Sequence, residues 1–204
     1  MNGFPSPFGG GGDGDDPFDA YDSFVPGHLP EPGPFLADHD VLAGDDHAAF
    51  HRLTRALFEA RGVYDVTFDY NLARLNLDSR HPDAGYRYAV DDADPAVLRA
   101  AFTPTTPFCP QSRALTVGSF RAWNDLADRH EFDLVRVRVA PMHHDAAAID
   151  EELAGLAAQF RETGDVRRVD AGRGGSGDAV GDGQGGSGDA VGDGAGDGSA
   201  RSPF

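Results

Sequence analysis

The only cysteine of the chain, Cys109, is the residue best placed to do chemistry. It lies in the run Phe102-Thr-Pro-Thr-Thr-Pro-Phe-Cys-Pro-Gln111, where Pro104 and Pro107 prevent regular structure and Pro110 suits the first position of a helix. A thiol just before a helix start lies at the positive end of the helix dipole, beside free backbone N–H groups, and both favour the thiolate. The pattern predicts a reactive thiolate or a soft-metal ligand, and the alternative is a small buried apolar side chain.

Other polar residues could join this thiol. They are Thr105, Thr106 and Gln111 in the same run, the pair His143 and His144 just after a predicted strand, and His81 after Asp78. One cysteine with scattered histidines matches no closed zinc pattern, so the sequence leaves metal binding open. An iron–sulfur cluster needs about four ligands, so a cluster at Cys109 would require a second copy or a partner. A cysteine hydrolase using His143 or His144 is a weaker hypothesis, because no orienting acid can be identified.

The periodicity of apolar residues predicts the elements that position this loop. A helix capped by Asp45 or Asp46 should run to Arg61 and stop at Gly62. Strands are predicted over residues 64–72, 86–90, 97–103 and 132–140, a second helix over 110–127, and a last helix after Asp145. The predicted fold class is α/β with two layers, in the order α-β-β-β-α-β-α. It has a small mixed sheet of about four strands and helices on one face.

Arginines mark the other face of this predicted sheet. Arg87, Arg136 and Arg138 alternate with the apolar strand residues, and Arg99 could join them. Two interpretations remain open: they pair with surface aspartates, or they form a docking face for an acidic partner.

Composition limits the class of protein and its environment. The net charge is -17, and all 17 basic residues are arginine. This balance indicates adaptation to a salt-rich cytoplasm, because molar salt screens the self-repulsion of acidic residues. It also argues against nucleic-acid binding, which needs a basic surface. One cysteine excludes an internal disulfide framework, and with no signal peptide or long apolar stretch visible we expect a cytoplasmic protein without a membrane span.

The same composition predicts three regions. Residues 1–37 are rich in Gly, Pro, Asp and Phe and are expected to form a disordered arm, although its Phe residues could anchor a partner. Residues 38–164 should form a single α/β domain. Residues 165–204 repeat a Gly/Asp-rich segment at Gly174 and Gly185 and are expected to form a flexible tail.

Several of these features together resemble a known family. The run from Phe102 to Cys109, then a helix, a Val-rich strand, Pro141-x-x-His144 and a helix containing Ile149-Asp-Glu-Glu-Leu153 are similar to the metal–sulfur cluster biosynthesis family. That family includes the PaaD-like proteins and the eukaryotic targeting component of cytosolic iron–sulfur assembly. The resemblance covers about residues 76 to 160. Asp78-Ser-Arg-His-Pro82 resembles a degenerate form of the family's Asp-Pro-Glu-x-Pro segment.

The resemblance implies an adaptor or carrier in iron–sulfur protein maturation or targeting, not an enzyme. Cys109 would be the functional thiol, with Thr103, Thr105 and Thr106 supporting its loop and His144 and Asp78 as candidate metal or partner contacts. The expected cofactor is a transient iron or iron–sulfur cluster, and the expected partners are iron–sulfur client or assembly proteins or a second copy. The alternative is a non-catalytic interaction module of the same fold, favoured by the altered Asp78 segment and the acidic arms.

Overall fold

A four-stranded mixed sheet and three α-helices make up the computed structural model, which describes residues 17–20, 24 and 26–166. The elements in chain order are β1 (Asp40–Val41), α1 (Gly44–Arg61), β2 (Tyr64–Asp65), β3 (Tyr70–Asn71), β4 (Gly85–Asp91), β5 (Asp94–Thr103), α2 (Ser112–Asp125), β6 (Leu134–Val139) and α3 (Ala146–Thr163). The sheet order is β1-β4-β5-β6, with β6 parallel to β5 and the other pairs antiparallel. The predicted mixed α/β fold is therefore confirmed.

Alternating side chains give the sheet two different faces. Strand register places Tyr88, Ala100 and Val137 in one row, and this face carries the main core shared with the helices. The opposite face carries the predicted arginines, which are Arg87, Arg99, Arg136 and Arg138. Arg99 pairs there with the buried Asp91 at 2.7 Å, so for this arginine the interpretation of pairing with an aspartate holds.

The capping residues and prolines in the sequence predict the end of α1 and the start of α2 closely. Helix α1 ends at Gly62, whose φ of 66° gives a left-handed cap that glycine adopts without strain. Its N-cap is Ala43, so Asp45 and Asp46 lie in the first turn instead of capping it. Helix α2 begins at Ser112, two residues after Pro110, which therefore precedes the helix instead of opening it.

The strand predicted over residues 64–72 is wrong. The chain instead forms the short β2–β3 hairpin, followed by a 3-10 helix from Leu72 to Leu77. The side chain of Asp65 accepts hydrogen bonds from the backbone N–H groups of Thr67 and Phe68, and Asp69 has a φ of 57°. Aspartate readily forms such turns, and here this turn chemistry prevails over the apolar alternation.

The boundary predicted at residue 37 is also corrected. Leu36 is fully buried against Ala89 and Ala101 on the arginine face of the sheet, and the ring of Phe35 lies 4.9 Å from the guanidinium of Arg99. This face is therefore partly covered by the segment that precedes β1. Residues 1–16, 21–23 and 25 of the predicted arm, and all but the first two residues of the predicted tail, lie outside the described residues.

Side chains from two helices bond to the backbone of β6. The amide of Asn124 donates to the carbonyl of Val135 at 2.9 Å and accepts from its N–H at 2.8 Å. The carboxylate of Asp150 accepts from the N–H of Val139 at 2.9 Å. These bonds fix α2 and α3 against the strand.

Within the described part of the chain, none of the helices has the length and apolar character needed to cross a membrane.

Candidate functional site

The loop between β5 and α2 places Cys109 as the sequence predicts, just before a helix. Its thiol is free and half-buried. The backbone N–H of Cys109 donates to the carbonyl of Thr106 at 3.4 Å, and its carbonyl accepts from the N–H of Ser112 at 3.2 Å. The prolines prevent a strand from continuing, so the chain turns sharply and presents the thiol beside the first turn of α2.

Two histidines from the loop after β6 hold this segment in place. Nε2 of the buried His143 lies 3.0 Å from the carbonyl of Cys109, and its Nδ1 accepts from the N–H of Asp145 at 3.2 Å. Because a carbonyl can only accept, Nε2 carries the proton. The N–H of His144 donates to the carbonyl of Pro107 at 3.0 Å, and Nε2 of its exposed ring lies 2.9 Å from the carboxylate of Asp145.

These two loops border a groove of about 750 Å³ lined by Phe108, Cys109, Arg113, His144 and Ile149, among others. Two large apolar residues at or near the groove are exposed: Phe108, which lines it, is 71% exposed, and Met142, in the loop after β6, is 44% exposed. The groove thus brings together two of the predicted site residues, the thiol and the His144 imidazole. Among the residues that the structure describes, no group of three or more His, Cys, Asp or Glu side chains could hold a metal ion.

Gln111 links the thiol loop to the β2–β3 hairpin. Its side-chain oxygen accepts from the N–H of Val66 at 3.3 Å, and its nitrogen bonds to the hydroxyl of Thr67 and lies 3.5 Å from the carboxylate of Asp65. Val66 is highly exposed. We use the term thiol surface for Val66, Phe108, Cys109, Met142 and His144.

Asp65 is the buried acid tied to the thiol loop, and sequence reasoning missed it. The alternation of apolar residues from Tyr64 to Leu72 predicts that it lies on the polar side of a strand. The signal that could have identified it is its position shortly after the helix stop at Gly62, followed by the turn-forming residues of the hairpin.

Asp78 does not line the groove around Cys109. Its carboxylate is buried and bonds to the guanidinium of Arg80 through two contacts of 2.7 Å, and it accepts from the hydroxyl of Tyr70 at 3.2 Å. Burial raises the pKa of Asp78, but the hydrogen bonds and charge of Arg80 outweigh it, so the pKa lies below its usual range. The backbone around Asp78 pairs with the N-terminal segment in an isolated bridge to Phe18, in which the N–H of Ser79 donates to the carbonyl of Pro17.

The threonines predicted to support the loop make fewer contacts than expected. The carbonyl of Thr106 accepts the hydrogen bond from Cys109. Thr103 is the last residue of β5, and Thr105 lies half-buried in the loop. The loop is held mainly by His143, His144 and Gln111.

Comparison with known proteins gives one result for the whole folded region. A family model described as "Domain of unknown function (DUF7998)" matches residues 16–167. No curated protein matches the chain. Because the match spans more than half of the chain, including both the sheet and the thiol surface, the protein belongs to the DUF7998 domain family.

Proposed function

We propose that the protein is an adaptor that binds an iron–sulfur client or assembly protein and contacts its iron or cluster through Cys109. The observation that carries the proposal is the position of the sole thiol, half-buried at a helix start in an open groove beside the exposed ring of Phe108. The deprotonated sulfur of a cysteine is the form that binds iron. The resemblance of the run from Phe102 to Cys109 supports the same pathway.

The exposed apolar side chains favour a protein partner. Phe108, Met142 and Val66 are large apolar residues outside the core, and all three belong to the thiol surface. Aromatic residues and methionine are enriched where proteins bind each other. A partner docking on this surface would cover these side chains and bring its own groups to Cys109.

The iron or cluster is cargo in this proposal, and this chain alone supplies too few ligands to hold a cluster. Cys109 supplies one of the roughly four ligands that a cluster needs. Both ring nitrogens of His143 are engaged with backbone groups, and those of the exposed His144 lie against the carbonyl of Pro107 and the carboxylate of Asp145, so His144 could act as a ligand only by giving up one of these contacts. The partner, or a second copy of this chain, must supply the rest.

A second candidate function is an interaction module with the same surface and no metal chemistry. The contacts of two histidines favour this function, because His143 and His144 bond to the backbone carbonyls of Cys109 and Pro107. That arrangement holds the shape of the loop without activating the thiol. It also disfavours a cysteine hydrolase, in which an imidazole nitrogen should face the sulfur.

The test is restoration of iron–sulfur enzyme activity in a strain of the source organism that lacks the gene. We expect Cys109→Ser and Phe108→Ser to fail, while Arg121→Ser, an exposed change on the same helix α2, restores activity. Full restoration by Cys109→Ser would refute the role of the thiol. Failure of Phe108→Ser alone would then support the interaction module.

A biochemical readout complements the genetic one. The purified variants are incubated with iron and sulfide without oxygen, alone and with a client apoprotein, and cluster content is measured by absorbance. We expect wild-type protein, but not Cys109→Ser, to accelerate cluster formation on the client. Equal rates for the two proteins would contradict the proposal.

A further inference from the structure

A second groove shares no lining residue with the groove around Cys109. It has a volume of about 470 Å³ and lies between the segment that precedes β1, the start of α1, and Arg87 on β4. We call it the Arg87 groove. Its volume falls in the range of small-molecule sites, roughly 300–1,000 Å³. Much of its wall is apolar, formed by Leu29, Ala48 and the prolines at 26, 30 and 32.

Buried polar atoms beside this groove have no hydrogen-bond partner. His47 is 0% exposed, and neither of its ring nitrogens is bonded to any group in the described residues. The same holds for Nε of Arg87. Native proteins nearly always provide partners for buried polar atoms, so these orphaned groups indicate a molecule that completes them.

The start of α1 contributes further donors. Gly44 and Asp45 line the groove, and the N-cap residue Ala43 gives no side-chain cap. The first N–H groups of a helix have no partner within it and carry partial positive charge. With the guanidinium of Arg87, they make this end of the groove suitable for an anionic group.

The charges in the groove limit which anion fits. Burial lowers the pKa of Arg87, and the carboxylate of Glu31 acts in the opposite direction. Burial, together with the charges of His51 and Arg87, lowers the pKa of His47 to about 3, so its neutral ring offers one donor and one acceptor. The carboxylates of Glu31 and Asp45 line the same groove and oppose a doubly charged anion such as phosphate.

We propose that the Arg87 groove binds a small organic carboxylate. The carboxylate meets the guanidinium of Arg87, the ring of His47 and the start of α1, and the apolar body of the ligand lies against Leu29 and the prolines. This site is independent of the function proposed for Cys109.

The test uses the full-length, 15N-labelled protein and benzoate as the probe. We expect benzoate to shift the signals of the Gly44 and Ala48 amides and the Arg87 Nε–H saturably. Benzyl alcohol has the ring without the charge, and phosphate has the charge without the ring. Both should bind at least tenfold more weakly.

Two variants locate the site. Arg87→Gln should weaken benzoate binding at least tenfold, and His47→Leu should weaken it as well. Arg136→Gln, on the same face of the sheet, should leave the affinity unchanged. If His47→Leu does not fold, Arg87→Gln still decides the question. No saturable shift with benzoate, equal binding of benzyl alcohol, tighter binding of phosphate, or unchanged affinity in Arg87→Gln would each overturn the proposal.

Discussion

Mild acid should destabilise the protein through His51. This side chain is fully buried, with Nε2 2.7 Å from the carbonyl of Ala73 and Nδ1 2.8 Å from the hydroxyl of Tyr88. Because the carbonyl can only accept, Nε2 carries the proton and Nδ1 accepts from Tyr88. Burial lowers the pKa of His51 to about 4, although the Ala73 carbonyl acts in the opposite direction.

The size of the effect follows from the difference between the two states. An unfolded histidine titrates near pH 6.5, so between about pH 6.5 and 4 the unfolded chain binds more protons than the folded one. The contribution of His51 to stability is therefore complete above about pH 6.5 and is lost as the pH falls toward 4. At about 1.4 kcal/mol for each pKa unit, His51 alone should cost about 3 kcal/mol by pH 4.

The assay is urea unfolding at a series of pH values, followed by the fluorescence of Trp123, the single and fully buried tryptophan. His51→Gln keeps a donor for Ala73 and does not titrate, so its free energy of unfolding should fall by about 3 kcal/mol less than wild type between about pH 7 and 4. Carboxylates contribute equally to both proteins and cancel in this difference. His144→Gln, an exposed control, should follow wild type. Parallel curves for wild type and His51→Gln would refute the reasoning.

The remaining predictions concern Gly85 at the start of β4, Gly155 on α3 and the thiol loop. Gly85 has a φ of 111°, and a Cβ there would lie 2.4 Å from Oδ1 of Asn76, so Gly85→Ala should lower the free energy of unfolding by about 3 kcal/mol or more. Gly155→Ala, in open space on α3, should instead raise it by roughly 0.5–1 kcal/mol, and urea unfolding that ranks the two variants equally would contradict this. Gln111→Ala should speed alkylation of Cys109 by iodoacetamide severalfold, because it releases the thiol loop from the hairpin, and an unchanged rate would show that the loop is held without it.

Elements with strong local signals were predictable from the sequence. The glycine at position 62 marks the end of α1, and alternation around Tyr86 and Tyr88 marks β4. The prolines around Cys109 correctly placed the thiol between a strand end and a helix start. Each of these features depends on residues that are close in the chain.

Features that depend on distant contacts were not predictable. The composition around Leu36 indicates disorder, yet this side chain is fully buried because β4 and β5 offer it a site made by Ala89 and Ala101. Nothing in the local sequence of α1 singles out His47 or His51, and only the packing of α1 against the sheet shows them buried. Tertiary burial outweighs local composition in both cases.

The same limit applies to the candidate site. The family resemblance suggested Asp78 as a metal or partner contact together with Cys109, but Asp78 is bonded to Arg80 and does not line the groove. The acid that is tied to the thiol loop is Asp65, through the side chain of Gln111. The fold of the β2–β3 hairpin determines which acid contacts the thiol loop. The spacing of residues in the sequence does not predict that fold.

The bonds from Asn124 and Asp150 to β6 also bear on how copies of the protein meet. An edge strand with free backbone groups can pair with a strand of another molecule and start aggregation. Here β6 is the last strand of the sheet, and side chains occupy the backbone groups of Val135 and the N–H of Val139. At the other edge β1 has only two residues. Both edges of the sheet therefore offer few free backbone groups for strand addition, which disfavours aggregation of folded molecules through these edges.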